Sequence, residues 1–314
     1  MTTIKKLLKN KPLIVLLAAS VVVAILNPRF LTWGNILTVL RQTSINAVIA
    51  TGMTFAILIG GIDLSVGSVL GFCGAIAASM ISSGINALVV VVAALMLGTF
   101  IGFLNGTLIT AGRLQPFIAT LGTVTLLRGL ILVFTKGRPI STGSTGASAA
   151  FGKIGTGFIG PIPIPVYIMI VVFIIAYYIL NHTRIGRYIY ATGSNEEATI
   201  YSGIKTSRVK LFVYSISGMT AALAGILITA RLGSAQPTAG AGYELDAIAA
   251  VVLGGTSMAG GVGTIAGTAT GALIIGILNN ALNLMKVPSY YQDVAKGIVI
   301  LAAVLLDRKQ KLSR

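Results

Sequence analysis

The chain is 314 residues long, 55% hydrophobic and only 10% charged, with a mean hydropathy of +0.93. Soluble domains carry about 25% charged residues, so this composition excludes a water-soluble globule and puts the chain in a membrane. The net charge of +16 does not mark a nucleic-acid binder, because the basic residues are dispersed over loops rather than gathered on one face.

The apolar runs are long and unbroken, which excludes the alternating segments of about ten residues that a β-barrel needs and predicts a polytopic all-α bundle. Ten spans follow in chain order: Leu13–Leu26, Ser44–Gly61, Val66–Ile81, Ala87–Ile109, Gln115–Thr135, Val166–Leu180, Leu211–Ala230, Asp246–Met258, Thr264–Leu284 and Tyr291–Leu306. Lys5, Lys6, Lys9 and Lys11 precede the first run in the manner of a signal peptide. No small-x-small cleavage site follows them, so an uncleaved first helix is expected. The first and eighth spans are short for about 30 Å of hydrocarbon, and such spans need cover from protein or a water-filled cavity. Alternating the spans from an inward N-terminus places fourteen basic residues inside and seven outside, with Arg128 and Lys296 within spans and free to snorkel outward. Both termini are then cytoplasmic.

Two segments interrupt the apolar pattern. Residues 136–165 lie outside on this topology; KGRPISTGSTG reads as irregular and PIPIP as extended, either a mobile surface loop or part of a docking face. Residues 181–210, NHTRIGRYIYATGSNEEATIYSGIKTSRVK, lie inside. There Ser194 and Glu197 fit a capping box, and Gly203 fits a helix stop, so a short helix is expected from Ser194 to Gly203. Two or three turns are not stable alone in water, so this helix needs a surface to pack on.

Glycine is abundant, 38 of 314. Gly98-Gly102-Gly106 and Gly263-Gly267-Gly271 have the spacing that lets helix backbones approach closely. ILIGGIDLSVGSVLG (57–71) weakly echoes VVLGGTSMAGGVGTIAG (251–267), each an apolar run, a Gly-Gly break and a small-residue helix. Gly-interrupted spans point at binding regions in transporters.

Chemistry is sparse. There is no Walker A sequence, no HExxH and no GxSxG, and one His with one Cys excludes the usual zinc spacings, so neither a P-loop nor an enzyme is supported. Asp63 either lines a pathway and braces a helix break or caps the following helix. Glu244 and Asp246 form a second acidic pair. Gln236, Tyr243 and Glu244 combine hydrogen-bonding groups with an aromatic face, as a sugar site does, or belong to loop-to-helix structure.

NAVIATGMTFAILIGGIDLSVGSVLG, LQPFIATLGTVTLLRG, TRIGRYIYATGSNEEATIYSGI and SAQPTAGAGYELDAIAAVVLGGTSMAGGVGTIAGT carry a specific resemblance across residues 42–306. They resemble the permease subunits of bacterial ATP-binding cassette importers for ribose, xylose, arabinose, galactose and autoinducer-2, closest to the ribose type. The resemblance implies one transmembrane domain over 1–314 in the inner membrane and a homodimer with its pathway at the dimer interface. It also implies a cytoplasmic ATPase with two cassettes, holding the ATP and Mg2+, and a periplasmic sugar-binding protein. This chain would carry no cofactor of its own, contact lipid and bind no nucleic acid. In such importers a cytoplasmic loop docks into the ATPase, which makes Gly186, Arg187, Gly193, Ser194, Asn195, Glu196, Glu197, Ala198 and Gly203 the candidate coupling residues. Candidate pathway residues are Gln42, Asn46, Asp63, Phe117, Thr120, Gln236, Tyr243 and Glu244. The rivals are an ion-coupled secondary transporter, a passive sugar facilitator, and the same importer class with another pentose, a hexose or autoinducer-2 as substrate.

Overall fold

The computed structural model describes residues 11–312; Lys5, Lys6 and Lys9 of the basic N-terminal run, and Arg314, lie outside them. Among the described residues there are thirteen α-helices and four two-residue strands. In chain order the helices are α1 (Lys11–Leu26), α2 (Trp33–Leu58), α3 (Val66–Ser82), α4 (Ala87–Thr110), α5 (Pro116–Thr135), α6 (Gly146–Thr156) and α7 (Ile164–His182). They continue as α8 (Arg184–Ser194), α9 (Glu196–Tyr201), α10 (Thr206–Leu232), α11 (Tyr243–Leu253), α12 (Ile265–Leu284) and α13 (Ser289–Leu312). All ten expected spans fall on helices. Five of them (α4, α5, α7, α10 and α12) are long and apolar enough to cross a membrane by length and composition alone.

Helix starts follow local chemistry. The side chains of Asn86, Thr145, Thr183 and Thr264 accept hydrogen bonds from the first turns of α4, α6, α8 and α12. Pro116 opens α5, where no amide hydrogen is needed. Gly233 ends α10 in the left-handed region at φ 65°.

The core forms where α10 crosses α2, α3 and α4. Methyl groups at Gly98 and Gly102 would collide with the Gly218 and Tyr214 carbonyls, and one at Gly225 with the Leu70 carbonyl. These helices therefore meet backbone to backbone, the contact that replaces the hydrophobic effect as a packing force inside lipid. Gly267 and Gly271 do the same for α12 against Gly254 and Ala250 at the end of α11.

The structure departs from the sequence reading at four places. Helix α2 begins at Trp33, not Ser44, so Arg41 is helical and stacks over the Phe158 ring at 5.0 Å from the centroid. Residues 136–165 are not a bare loop: α6 buries Phe151 completely and presses Gly155 against Ala230 and Arg231, while Ile140–Ser141 pairs antiparallel with Ser234–Ala235. Of PIPIP, only Ile162–Pro163 is extended; α7 starts at Ile164, with Pro165 in its first turn. Residues 184–194 form a complete helix, α8, that buries Gly186, Ile189 and Thr192 at three-residue spacing.

We call the end of the bundle that carries residues 181–210 the lower end. Expected outcome: Gly102→Val lowers the stability of the detergent-purified protein by about 1–3 kcal/mol through overpacking. Gly122→Ala, where nothing lies within 4 Å of the added methyl, changes it by no more than about 0.5 kcal/mol. Thermal unfolding of the two variants side by side checks this.

Candidate functional site

Three polar assemblies sit in this otherwise apolar bundle. The first is the lower-end segment. The short helix α9 is capped by Asn195, whose Oδ1 accepts the Ala198 amide hydrogen at 2.9 Å. Ser194 is instead the last residue of α8, so the expected Ser194–Glu197 capping box does not form. The chain needs an extended residue to turn from α8 into α9, and Asn195, at φ −161°, is that residue. The helix ends at Tyr201, and Gly203 follows in the left-handed region at φ 80°. Glu196 is not free: it pairs with Lys210 at 2.6 Å, tying α9 to the start of α10. Arg187, Glu197 and Ala198 are exposed, as are Ile200 at 52% and Tyr201 at 90%.

Gly186 and Gly193 face the other way. A methyl at Gly186 would meet the Ile179 and Leu180 carbonyls. One at Gly193 would meet the Leu58 carbonyl and the Gly261 amide. Gly261 in turn donates its amide hydrogen to the Leu58 carbonyl at 2.9 Å, and Gly260 lies against both Gly193 and Gly60. The Tyr190 hydroxyl donates to the Gly263 carbonyl at 2.8 Å. The two echoing glycine breaks therefore meet each other, and α8 closes over both.

The second assembly surrounds Asp63, which has no solvent exposure. Its Oδ1 accepts from the Ser65 amide at 3.0 Å and hydroxyl at 2.6 Å, and its Oδ2 accepts from the Ser217 hydroxyl at 2.7 Å. Asn105 donates to the Ser65 hydroxyl at 2.9 Å and accepts from Thr123 at 2.6 Å. One carboxylate thus holds the break between α2 and α3 against α4, α5 and α10. The N-cap position of α3 is Ser65, and its side chain makes no capping bond, so of the two sequence readings the geometry favours the brace. Three protein donors thus hydrogen-bond the buried Asp63 carboxyl, as a buried polar group requires.

The third is a cavity of about 230 Å³ near the upper end, between α2, α10, α11, α12 and α13. Of the candidate pathway residues, Gln42, Asn46 and Tyr243 line it. Arg231, Asp246, Asn279 and Lys296 complete its polar wall. Asp246 accepts from Lys296 at 3.3 Å and from Asn279 at 3.4 Å, so Lys296 does not snorkel outward but joins α13 to α11.

The other candidates are elsewhere. Phe117 is 53% exposed on the surface of α5, and the buried Thr120 hydroxyl donates to the Pro116 carbonyl at 2.8 Å. Gln236 donates to Ser234 at 3.1 Å, and Glu244 accepts from the Gly242 amide at 3.3 Å while lying over Gly67. Arg128, also expected to snorkel, instead donates to the Ala239 carbonyl at 2.7 Å and pins this re-entering loop to α5. Asn279, Asn283 and Gln292 escaped the sequence reading, although Asn279 with Asn283, and Gln292 with Lys296, have the four-residue spacing of one polar helix face.

The family model for the branched-chain amino acid transport system / permease component matches residues 35–304. The chain belongs to this permease family. It is the multi-pass permease component of an ATP-binding cassette transporter, with ATP hydrolysis on a separate subunit; an ATPase and a substrate-binding protein are its partners. The permease is 56% identical over 301 residues to the ribose import permease protein RbsC of Haemophilus influenzae, covering 96% of this chain and 93% of that one. It is 53% identical to the RbsC protein of Bacillus subtilis, covering 96% and 93%. It is 33% identical to the xylose transport system permease protein XylH of Escherichia coli, covering 90% and 86%. No solved structure matches the permease.

The Asp246–Lys296 contact makes a measurable claim. Lys296→Met leaves a buried carboxylate without its cation and lowers the unfolding temperature of the permease; adding Asp246→Asn recovers part of the loss. The two changes couple by about 0.5–3 kcal/mol in a double-mutant cycle. Strict additivity would show that the pair contributes nothing.

Proposed function

We propose that this chain is the permease of a D-ribose importer in the bacterial inner membrane, working as a homodimer with both termini in the cytoplasm. The observation that carries the sugar assignment is the identity of 53 to 56% to ribose import permeases over nearly the whole chain, against 33% to the xylose permease. The positive-inside bias supports the orientation, and it puts the lower end in the cytoplasm. There α9 presents Ala198, Ile200 and Tyr201 on a surface that otherwise bears exposed polar and charged side chains. A tyrosine 90% exposed beside an exposed isoleucine suits an anchor for a cleft in the ATPase.

The partners in this reading are a cytoplasmic ATPase with two cassettes, which holds the ATP and Mg2+, and a periplasmic binding protein that delivers the sugar. The permease itself carries no cofactor and forms no covalent intermediate. When the cassettes close, the docked α9 moves with them. Because α8 is seated on the glycine breaks at Gly60 and Gly260, that movement reaches the end of α2 and the turn between α11 and α12 directly. The bundle then exchanges inward-facing for outward-facing access.

An ion-coupled transporter is the poorer account. It needs a carboxylate inside the membrane that is open to a proton or cation. Asp63 has no solvent exposure and is held by three protein donors, and Asp246 is engaged by Lys296 and Asn279.

Glu197 and Tyr201 test the docking face better than Glu196, which has an internal partner. Expected outcome: Tyr201→Glu with Glu197→Lys leaves the permease folded but weakens ATPase binding by about 2 kcal/mol or more, roughly thirtyfold. Co-purification of the ATPase and ribose uptake into proteoliposomes both fall. Normal co-purification and uptake in a well-expressed double variant would overturn the assignment.

A further inference from the structure

Two apolar grooves flank α10 on the outside of the bundle, away from the three polar assemblies. The first, of about 470 Å³, opens where α7 stands off from α4 and α10, with Ile168, Val171, Ile175 and Leu223 in its walls. The second, of about 480 Å³, runs between α4 and α10 past Met96, Thr99, Phe103 and Ser215. Leu95 and Met219 belong to both and form the ridge between them. The hydroxyls of Thr51, Thr99 and Thr220 in these walls are turned to the Ala47, Leu95 and Ser217 carbonyls at 2.8, 2.7 and 3.0 Å. At the top of the first groove the Tyr167 hydroxyl donates to the Ile159 carbonyl at 3.1 Å, and the Phe158–Pro163 hairpin closes that end. Apart from Ser215 at the lower end, the walls offer hydrocarbon.

The lower ends of the grooves carry charge. Arg208 is exposed and precedes Ser215 and Ile216 by seven and eight positions, the spacing of one helix face, so it lies two turns below the ridge. Lys205 is exposed just before α10 begins. Arg113 is exposed in the turn after α4, at the end where Gly106 packs on Leu211. Among the described residues the ion pairs are Lys210 with Glu196 and Lys296 with Asp246, so these three cations have no carboxylate partner there.

We propose that α10 holds one anionic diacyl phospholipid, with an acyl chain in each groove on either side of Leu95 and Met219 and its phosphate between Arg208, Arg113 and Lys205. Two apolar slots of nearly equal volume that converge under a cluster of cations fit a two-chain amphiphile with a negative head. A partner helix presents one apolar stripe, not two, and leaves the cations bare. A zwitterionic headgroup brings an ammonium to a cluster that lacks anions. On the topology proposed above, the lower end meets the cytoplasmic leaflet, where anionic lipids lie. The headgroup sits two residues from Lys210, whose partner Glu196 begins α9, so the bound lipid steadies the start of α10 beside the docking helix. The site does not depend on which cargo the permease carries.

Native mass spectrometry of the full-length permease in detergent, titrated with phosphatidylglycerol or phosphatidylethanolamine of the same acyl chains, tests this. The expected result is one phosphatidylglycerol retained per protomer, at least about fivefold more tightly than phosphatidylethanolamine. Arg208→Gln weakens that binding about fivefold, and Arg208→Gln with Arg113→Gln about twenty-five-fold, which is roughly 1 kcal/mol per cation. Arg138→Gln, an exposed cation at the other end of the bundle, leaves it unchanged. Val171→Trp fills the first groove from an exposed position and weakens binding of both lipids. Equal retention of the two lipids, or an equal loss from Arg138→Gln, would show a nonspecific annulus and overturn the site. Lipid retention unchanged by Val171→Trp, with loss of a second protein chain from the purified complex, would assign the face to a protein partner and overturn it too.

Discussion

Everything at the lower end hangs on one backbone contact. The Leu58 carbonyl, left free where α2 stops, accepts the Gly261 amide hydrogen and lies directly under Gly193. A helix that ends leaves its last carbonyls without intrahelical partners, and one covered by another helix needs a partner from the protein. Here the second glycine break satisfies the first. The two turns interlock only because Gly60, Gly260 and Gly261 adopt positive φ and none of them has a side chain. Gly193 then lets α8 rest on the assembled knot with no layer of side chains between.

The same economy governs the buried polar groups. Three charged side chains inside the bundle are each bound to specific neighbours: Asp63 to two serines, Asp246 to Lys296 and Asn279, Arg128 to the Ala239 carbonyl. These contacts sit where a helix is interrupted or where a loop re-enters the bundle. Gly240 at φ 78° brings that loop against Gly67, so the segment before α11 is wedged beside the start of α3. The interruptions at 59–65 and 236–242 are therefore neighbours of α3 from opposite ends of the chain. In the proposed mechanism, what moves is a small set of helix ends on a rigid pack formed by α2, α3, α4 and α10.

The spans were legible in the sequence because burial in lipid needs little beyond length and apolarity. The polar helices were not. Residues 33–43 contain Asn35, Thr38, Arg41 and Gln42 and read as a loop, but they are the first turns of α2. Asn35 exchanges hydrogen bonds with Asn280, 245 residues away, and Gln42 faces the cavity. A partner so distant in sequence leaves no local signature. In α8 the pattern is present but muted, because two of its three buried residues are Gly186 and Thr192, which do not register as apolar. Of the candidate pathway residues, Gln42, Asn46 and Tyr243 meet at the cavity while Phe117 and Thr120 lie on or beside α5, because the cavity wall is assembled from five helices whose polar faces meet only in the fold.

The central claim is that α8, seated on the glycine knot, passes the movement of the ATPase into the bundle. It is tested most directly by the number of sugar molecules moved per ATP hydrolysed in reconstituted importer carrying Gly193→Ala. One methyl group at that position displaces α8 from the Leu58 carbonyl and leaves the exposed face of α9 untouched. The account predicts that the ATPase still co-purifies and still turns over, while sugar moved per ATP falls several-fold. An unchanged ratio, or loss of the ATPase from the purified complex, would contradict it.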